Sequence, residues 1–312
     1  MYKRLLLVLA GFSLLAGCGG GGGGGGSETG LPSAYTGKTT QAVVTTTNAR
    51  TLSSEAYSGC QMVSSFDVLG KAVTDSNSQS PMLQGAVSLI ESTVSTIVQE
   101  PKTLTKSVES TSTLQNTIYG YTGSYTYTIS IDTVSGAASG TLSFSQYSTG
   151  SRNGSVTMTG SISFSGVYNQ AISNFTSLNM SLNNVVATSS SENVRMSGSF
   201  TASIDGSTKT YSMTVAITDN VSNNTILLKD YTLKFNGGSV VFTGTYYNPT
   251  HGYVVISTDI PLTVSSLSDM PTSGQLLFTG KNGTKARLSF GDRNRYTVTA
   301  DTVGNGTYVE IP

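Results

Sequence analysis

Two hydrophobic periods divide the chain. Met62, Phe66, Leu69 and Val73 recur at spacings of four, three and four, with Cys60 and Val63 beside them and polar Ser53 and Ser54 ahead. Asp75 to Ser78 breaks that pattern, and Ser80-Pro81 restarts it as an N-cap followed by proline at the first helical position. Leu83, Val87, Ile90, Val94 and Ile97 then recur at four, three, four and three until Pro101, with Gln84, Ser88, Glu91 and Ser95 on the opposite face. This predicts an amphipathic helical hairpin over 54–99, helices 54–74 and 80–99, with one stripe to bury. A membrane-surface helix would carry Lys and Arg on its polar face, and residues 80–100 contain none.

From residue 115 to 312 the period is two. Tyr121, Tyr125, Tyr127, Ile129 and Ile131 alternate with Thr and Ser, as do Val156, Met158, Ile162 and Phe164. Val194 to Ile204, Tyr211 to Ile217, Tyr231 to Phe235 and Ala286 to Phe290 repeat the pattern. Asp205-Gly206, Asn236-Gly237, Asn282-Gly283 and Gly304-Asn305-Gly306 lie between these runs and supply the positive φ angles of tight hairpins. Roughly 12 antiparallel strands are expected at this turn spacing. Such a sheet is nearly 60 Å wide at about 4.8 Å per strand, far wider than a pair of helices each about 10 Å across. The expected fold is therefore mainly β: a large curved antiparallel sheet, half-barrel or sandwich, packed against the N-terminal helical hairpin. Phe66, Leu69, Val87, Ile90 and Val94 would face the concave side, where an apolar ligand could lodge. A membrane barrel with water inside and lipid outside would show the same alternation.

Composition narrows the chemistry. The 312 residues carry 17 basic and 17 acidic side chains, only 11% charged in all, so no clustered cationic surface for nucleic acid is expected. Asp132, Asp205, Asp219 and Asp292 fall at turns, where local hydrogen bonding favours Asp without any catalytic role. The single histidine, His251, lies in the turn-like Asn248-Pro249-Thr250-His251-Gly252, and no nucleophile elbow, phosphate loop or zinc-ligand pair accompanies it. Asp301, Asn305 and Glu310 form a calcium candidate, but Val303 occupies a ligand position and Glu310 comes too early for a full oxygen-rich loop. No cofactor or enzymatic activity is expected.

The N-terminus carries the address. Lys3 and Arg4 precede an apolar run from Leu5 to Ala16, too short to span a bilayer, which needs about 20 residues. Leu15-Ala16-Gly17-Cys18 resembles the lipobox of bacterial lipoproteins, and eight glycines, Gly19 to Gly26, follow it. The resemblance implies cleavage of residues 1–17 by signal peptidase II, diacylglycerol on the Cys18 thiol and acylation of its new amine. Cleavage removes Lys3 and Arg4, leaving 15 basic against 17 acidic side chains. Lipid on Cys18 would leave Cys60 without a partner in the chain, as a buried thiol on a helix. Residues 18–50, rich in Gly, Ser and Thr, read as a lipidated tether, and 51–312 as a single β-rich domain. Gly19 in place of Asp resembles lipoproteins not retained in the inner membrane.

Further along, His251-Gly252-Tyr253, Pro261-Leu262, Pro271-Thr272-Ser273-Gly274, Thr279-Gly280-Lys281-Asn282-Gly283 and Asp301 to Tyr308 resemble a C-terminal module of uncharacterised bacterial lipoproteins, which implies no activity. Helices against a curved sheet are also similar, by architecture alone, to the lipoprotein carriers of the outer-membrane sorting pathway. The expectation is a lipid-anchored outer-membrane lipoprotein, a non-enzymatic structural or interaction module. Its partners would be the membrane, through the anchor, and an envelope protein. The alternative is a carrier for a lipid or other apolar ligand.

Overall fold

The computed structural model describes residues 31–65, 111–148, 156–169, 171, 174–189, 192–264, 270–291 and 295–312, with side chains in the first stretch described to Gln61. One helix, α1 (Ala49–Ser65), precedes fourteen strands: β1 (Thr111–Tyr119), β2 (Thr122–Asp132), β3 (Ala137–Ser148), β4 (Thr157–Asn169), β5 (Asn174–Thr188), β6 (Asn193–Asp205) and β7 (Thr208–Asp219), then β8 (Asn224–Asn236), β9 (Ser239–Asn248), β10 (Gly252–Thr263), β11 (Ser273–Thr279), β12 (Lys285–Gly291), β13 (Arg295–Asp301) and β14 (Val309–Ile311). All fourteen lie in one antiparallel sheet in chain order, a meander whose ends β1 and β14 do not meet. The curved, mainly β expectation is met by an unclosed curled sheet, not by a sandwich. The strand number exceeds the expected 12 because the edges signal weakly. β1 (TSTLQNTIY) alternates poorly, and β14 is three residues long. Tyr121, expected to open an alternating strand, sits instead in the bend before β2 and is 83% exposed.

Period two decides which face is inside. Tyr127, Ile129 and Ile131 of β2, Met196 and Phe200 of β6, Tyr211, Met213, Val215 and Ile217 of β7 and Leu288 of β12 all enter one buried cluster running from β2 to β14. The greasy face is the concave one, opposite to what a water-filled membrane barrel would need. Curvature comes from breaks in register. β3 slips against β4 between Phe144 and Tyr147, β5 against β6 between Leu182 and Val185, and β8 against β9 between Lys229 and Thr232. Gln146, Asn184 and Asp230 hold positive φ at these breaks, and such bulges bend and twist the strand that contains them.

The helix starts at Ala49, five residues before the expected 54. Thr45 and Asn48 explain this as a reciprocal cap: the Thr45 N–H donates to Asn48 Oδ1 (2.8 Å) and the Asn48 N–H to Thr45 Oγ1 (3.3 Å). Ser53 is no starter, because its hydroxyl donates back to the Ala49 carbonyl (2.8 Å) inside the helix. Ala49, Leu52, Ala56 and Cys60 form the buried stripe. Tyr57 packs on Phe290 of β12 (4.9 Å between ring centroids), while the carbonyl of the preceding Ala56 accepts the Tyr231 hydroxyl of β8 (3.2 Å). In a flat sheet β8 and β12 would be about 19 Å apart, beyond the span of one helical turn. The sheet therefore wraps the helix. Gly59 permits the close contact, since a Cβ there would lie 2.7 Å from a Tyr231 ring carbon and 2.8 Å from a Leu228 methyl.

The second helix expected over 80–99, and the part of the first beyond Ser65, lie outside the described residues.

Candidate functional site

The N-terminal segment departs most from expectation. A tether was expected through residue 50, yet from Leu31 the chain is docked onto the sheet. Tyr35 packs on the convex face in a separate small cluster with Ala216, Leu227 and Tyr247, flanked by Leu31 and Tyr253. Its ring meets Tyr247 edge-on at 5.5 Å, and its hydroxyl donates to the Lys38 carbonyl (3.0 Å). Burial of that phenol pushes its pKa up to about 12.

The strap then crosses the rim formed by the β9–β10 and β11–β12 turns. The Ala42 N–H donates to the Tyr253 carbonyl (2.8 Å), the Tyr253 N–H to the Thr40 carbonyl (3.1 Å), and the Lys281 N–H to the Ala42 carbonyl (2.7 Å). Val44 ends on the concave side, fully buried in the main cluster, with its N–H on Thr284 Oγ1 (3.0 Å). Gly252 makes the crossing possible: its φ is +95°, and a side chain there would run into the Thr40 carbonyl. The glycines of these turns thus serve the strap as well as the hairpins.

Behind the rim is a polar junction between α1 and the sheet. Glu55 Oε2 accepts the Tyr246 hydroxyl (2.5 Å) and the Asn248 amide (3.0 Å). Asn248 Oδ1 in turn accepts the N–H groups of Thr250 and His251 (2.9 and 3.0 Å), closing the β9–β10 turn. Burial, and then the Glu55 charge, hold the Tyr246 phenol well above its ordinary pKa, and burial does the same for Tyr231. Cys60 is a buried thiol on α1, as expected, and burial raises its pKa strongly. All three stay protonated at neutral pH and act as packing and hydrogen-bonding groups. Nothing local in the sequence distinguishes Glu55 or Tyr246, because a separation of 191 residues hides their pairing.

The calcium candidate has a different organisation. The Asp301 side chain is buried, with Oδ1 accepting the N–H groups of Val303, Gly304 and Asn305 (3.3, 2.8 and 3.2 Å) and Oδ2 that of Gly306 (2.7 Å). Burial alone would raise its pKa, but the four donors outweigh it and hold the carboxyl below its ordinary value. With three N–H groups on Oδ1 and one on Oδ2, the carboxylate faces donors where a cation site would need further oxygens. Asn305 caps Thr307 (2.9 Å), and Glu310 is exposed on β14. Among the described residues no three His, Cys, Asp or Glu side chains gather at metal-binding range.

Asp132 and Asp219 behave as expected of turn residues. Asp132 accepts the Val134 and Ser135 N–H groups, and Asp219 the Ser222 hydroxyl and the Val221 N–H. His251 is half-buried in its turn. Cys18 and the candidate ligand-facing residues Phe66, Leu69, Val87, Ile90 and Val94 lie outside the described residues.

The class that the geometry defines is a helix wrapped by an open fourteen-stranded meander and bound across its rim by an N-terminal strap. No known protein family, curated protein or solved structure matches this chain.

Proposed function

We propose that this protein is a lipid-anchored lipoprotein of the cell outer membrane, acting as a non-enzymatic structural or interaction module. The observation that carries the reading is Leu15-Ala16-Gly17-Cys18, behind a basic start and a short apolar run and ahead of eight glycines. Leu31 and Tyr35 are already docked on the sheet, so any free tether is confined to the 12 residues between Cys18 and Leu31, and a glycine-rich coil of that length reaches about 19 Å.

Metabolic labelling with a palmitate analogue, followed by membrane fractionation, tests this. Wild type should take label and sediment with the outer membrane, and Cys18→Ser should lose both. An unlabelled wild type, or a Cys18→Ser protein that labels and fractionates unchanged, would refute the anchor.

A further inference from the structure

The convex face of an antiparallel sheet is ordinarily a flat polar surface, but here it holds a cleft of about 600 Å³ over β5, β6 and β7. Two features hollow it. Ser33 and Ala34 of the strap stand as one wall. Asn184, at φ 49°, lifts the β5 backbone out of register with β6. Leu182, Gly198 and Ala216 supply the floor.

The lining is hydroxyl, amide and a single charge. Ser181, Asn183, Asn184, Ser197 and Thr218 offer neutral donors and acceptors, and Arg195 is the one ionised side chain among the lining residues. The groups are partly pre-set. Ser197 Oγ donates to Asn184 Oδ1 (3.2 Å), which fixes that amide. Arg195 Nη2 donates to Asn220 Oδ1 (2.7 Å), and Asn220 is itself tied to Asn193 Oδ1 (2.7 Å). Asn220 thereby aims the guanidinium at one nitrogen and leaves its remaining N–H donors for a guest. No carboxylate of the lining neutralises it.

We propose that this cleft binds an acidic saccharide: a hydroxyl-rich guest of a few sugar units with one carboxylate on Arg195. The volume lies within the usual 300–1,000 Å³ of ligand sites, while the lining is far more polar than most. An apolar guest would strip water from the hydroxyls and amides of this lining without offering them hydrogen bonds in return, which disfavours it. A peptide would seek a sheet edge or apolar side-chain pockets, and β5, β6 and β7 are interior strands already paired on both sides. Hydroxyls of a sugar match amides and hydroxyls one for one, and the planar guanidinium matches a single carboxylate. The site is independent of the membrane anchor.

The test is calorimetric titration of the detergent-purified full chain with trigalacturonate, with neutral galactotriose and inorganic phosphate as separate probes. Wild type should bind trigalacturonate, galactotriose more weakly, and phosphate should compete poorly. Arg195→Gln should weaken trigalacturonate binding by about tenfold or more, the size expected for a charge-assisted contact, with an unchanged melting temperature. Ser181→Tyr, a strand-compatible residue that fills the cleft and keeps Arg195, should abolish binding of both sugars. Absence of trigalacturonate binding in wild type, equal binding by a folded Arg195→Gln or Ser181→Tyr protein, or displacement by phosphate as effective as by the sugar would each overturn the proposal.

Discussion

Asp301 shows how one residue can close a loop and be mistaken for a ligand. Its four N–H partners are the backbone of the loop it precedes, so the side chain does the work a cation would otherwise do. Two outcomes follow. Thermal melts with and without millimolar calcium should coincide. A carboxyl held below its ordinary pKa stabilises the fold above the unfolded value, about 4, and that contribution is lost as pH falls through the folded value. Asp301→Asn should therefore lower the melting temperature at pH 7 and flatten its decline below about pH 4. Gly252 is the other residue whose identity is dictated by position. Gly252→Ala meets both a φ of +95° and the Thr40 carbonyl, and should cost about 1–3 kcal/mol in urea unfolding.

At the level of elements, α1 and the strap are held by different means. α1 is seated by aromatic contacts, with Tyr57 against Phe290 and Tyr296. It is also tied to the chain end, where Arg50 donates to the carbonyls of Ile311 (2.7 Å) and Pro312 (2.6 Å). Tyr57→Ala should cost about 3–5 kcal/mol, as truncation of a buried aromatic ring does, read as a lower denaturation midpoint. The strap rests on backbone pairing and one anchoring ring. Its Tyr35 phenol has a folded pKa raised to about 12, so its contribution is complete below the unfolded value near 10 and is lost as pH rises through the folded one. Alkaline titration between about pH 10 and 12 should make residues 31–40 accessible to protease before the sheet unfolds, and Tyr35→Phe should remove that pH dependence.

For the molecule as a whole, legibility follows range. Tyr127, Phe200, Met213 and Leu288 could be placed on the buried face from alternation alone, because strand geometry turns every second side chain the same way. Turn chemistry was equally local: Asp205-Gly206 and Asn236-Gly237 sit at hairpins that the positive φ angles of Gly206 and Gly237 suit. The strap could not be read this way. Its apolar residues, Leu31, Tyr35 and Ala42 to Val44, are separated by Ser, Thr, Gly and Lys with no sustained period, and their ordering depends on Tyr247, Tyr253 and Lys281 more than 200 positions away. The outer cleft was hidden for the same reason. Ser181, Arg195 and Thr218 are unremarkable outward residues of three strands until a bulge and a distant segment enclose them.

The amino-acid order by itself determined that this chain makes a wide antiparallel sheet with one greasy face, because period-two hydrophobicity and glycine-bearing turns act within a few residues. Only the tertiary structure decided that the sheet curls open around α1, and that a polar N-terminal segment binds it across the rim. It also decided that the Asp301 carboxylate is spent on its own loop. Those outcomes rest on register breaks, close approaches and hydrogen bonds between residues far apart in the chain, which no local pattern encodes.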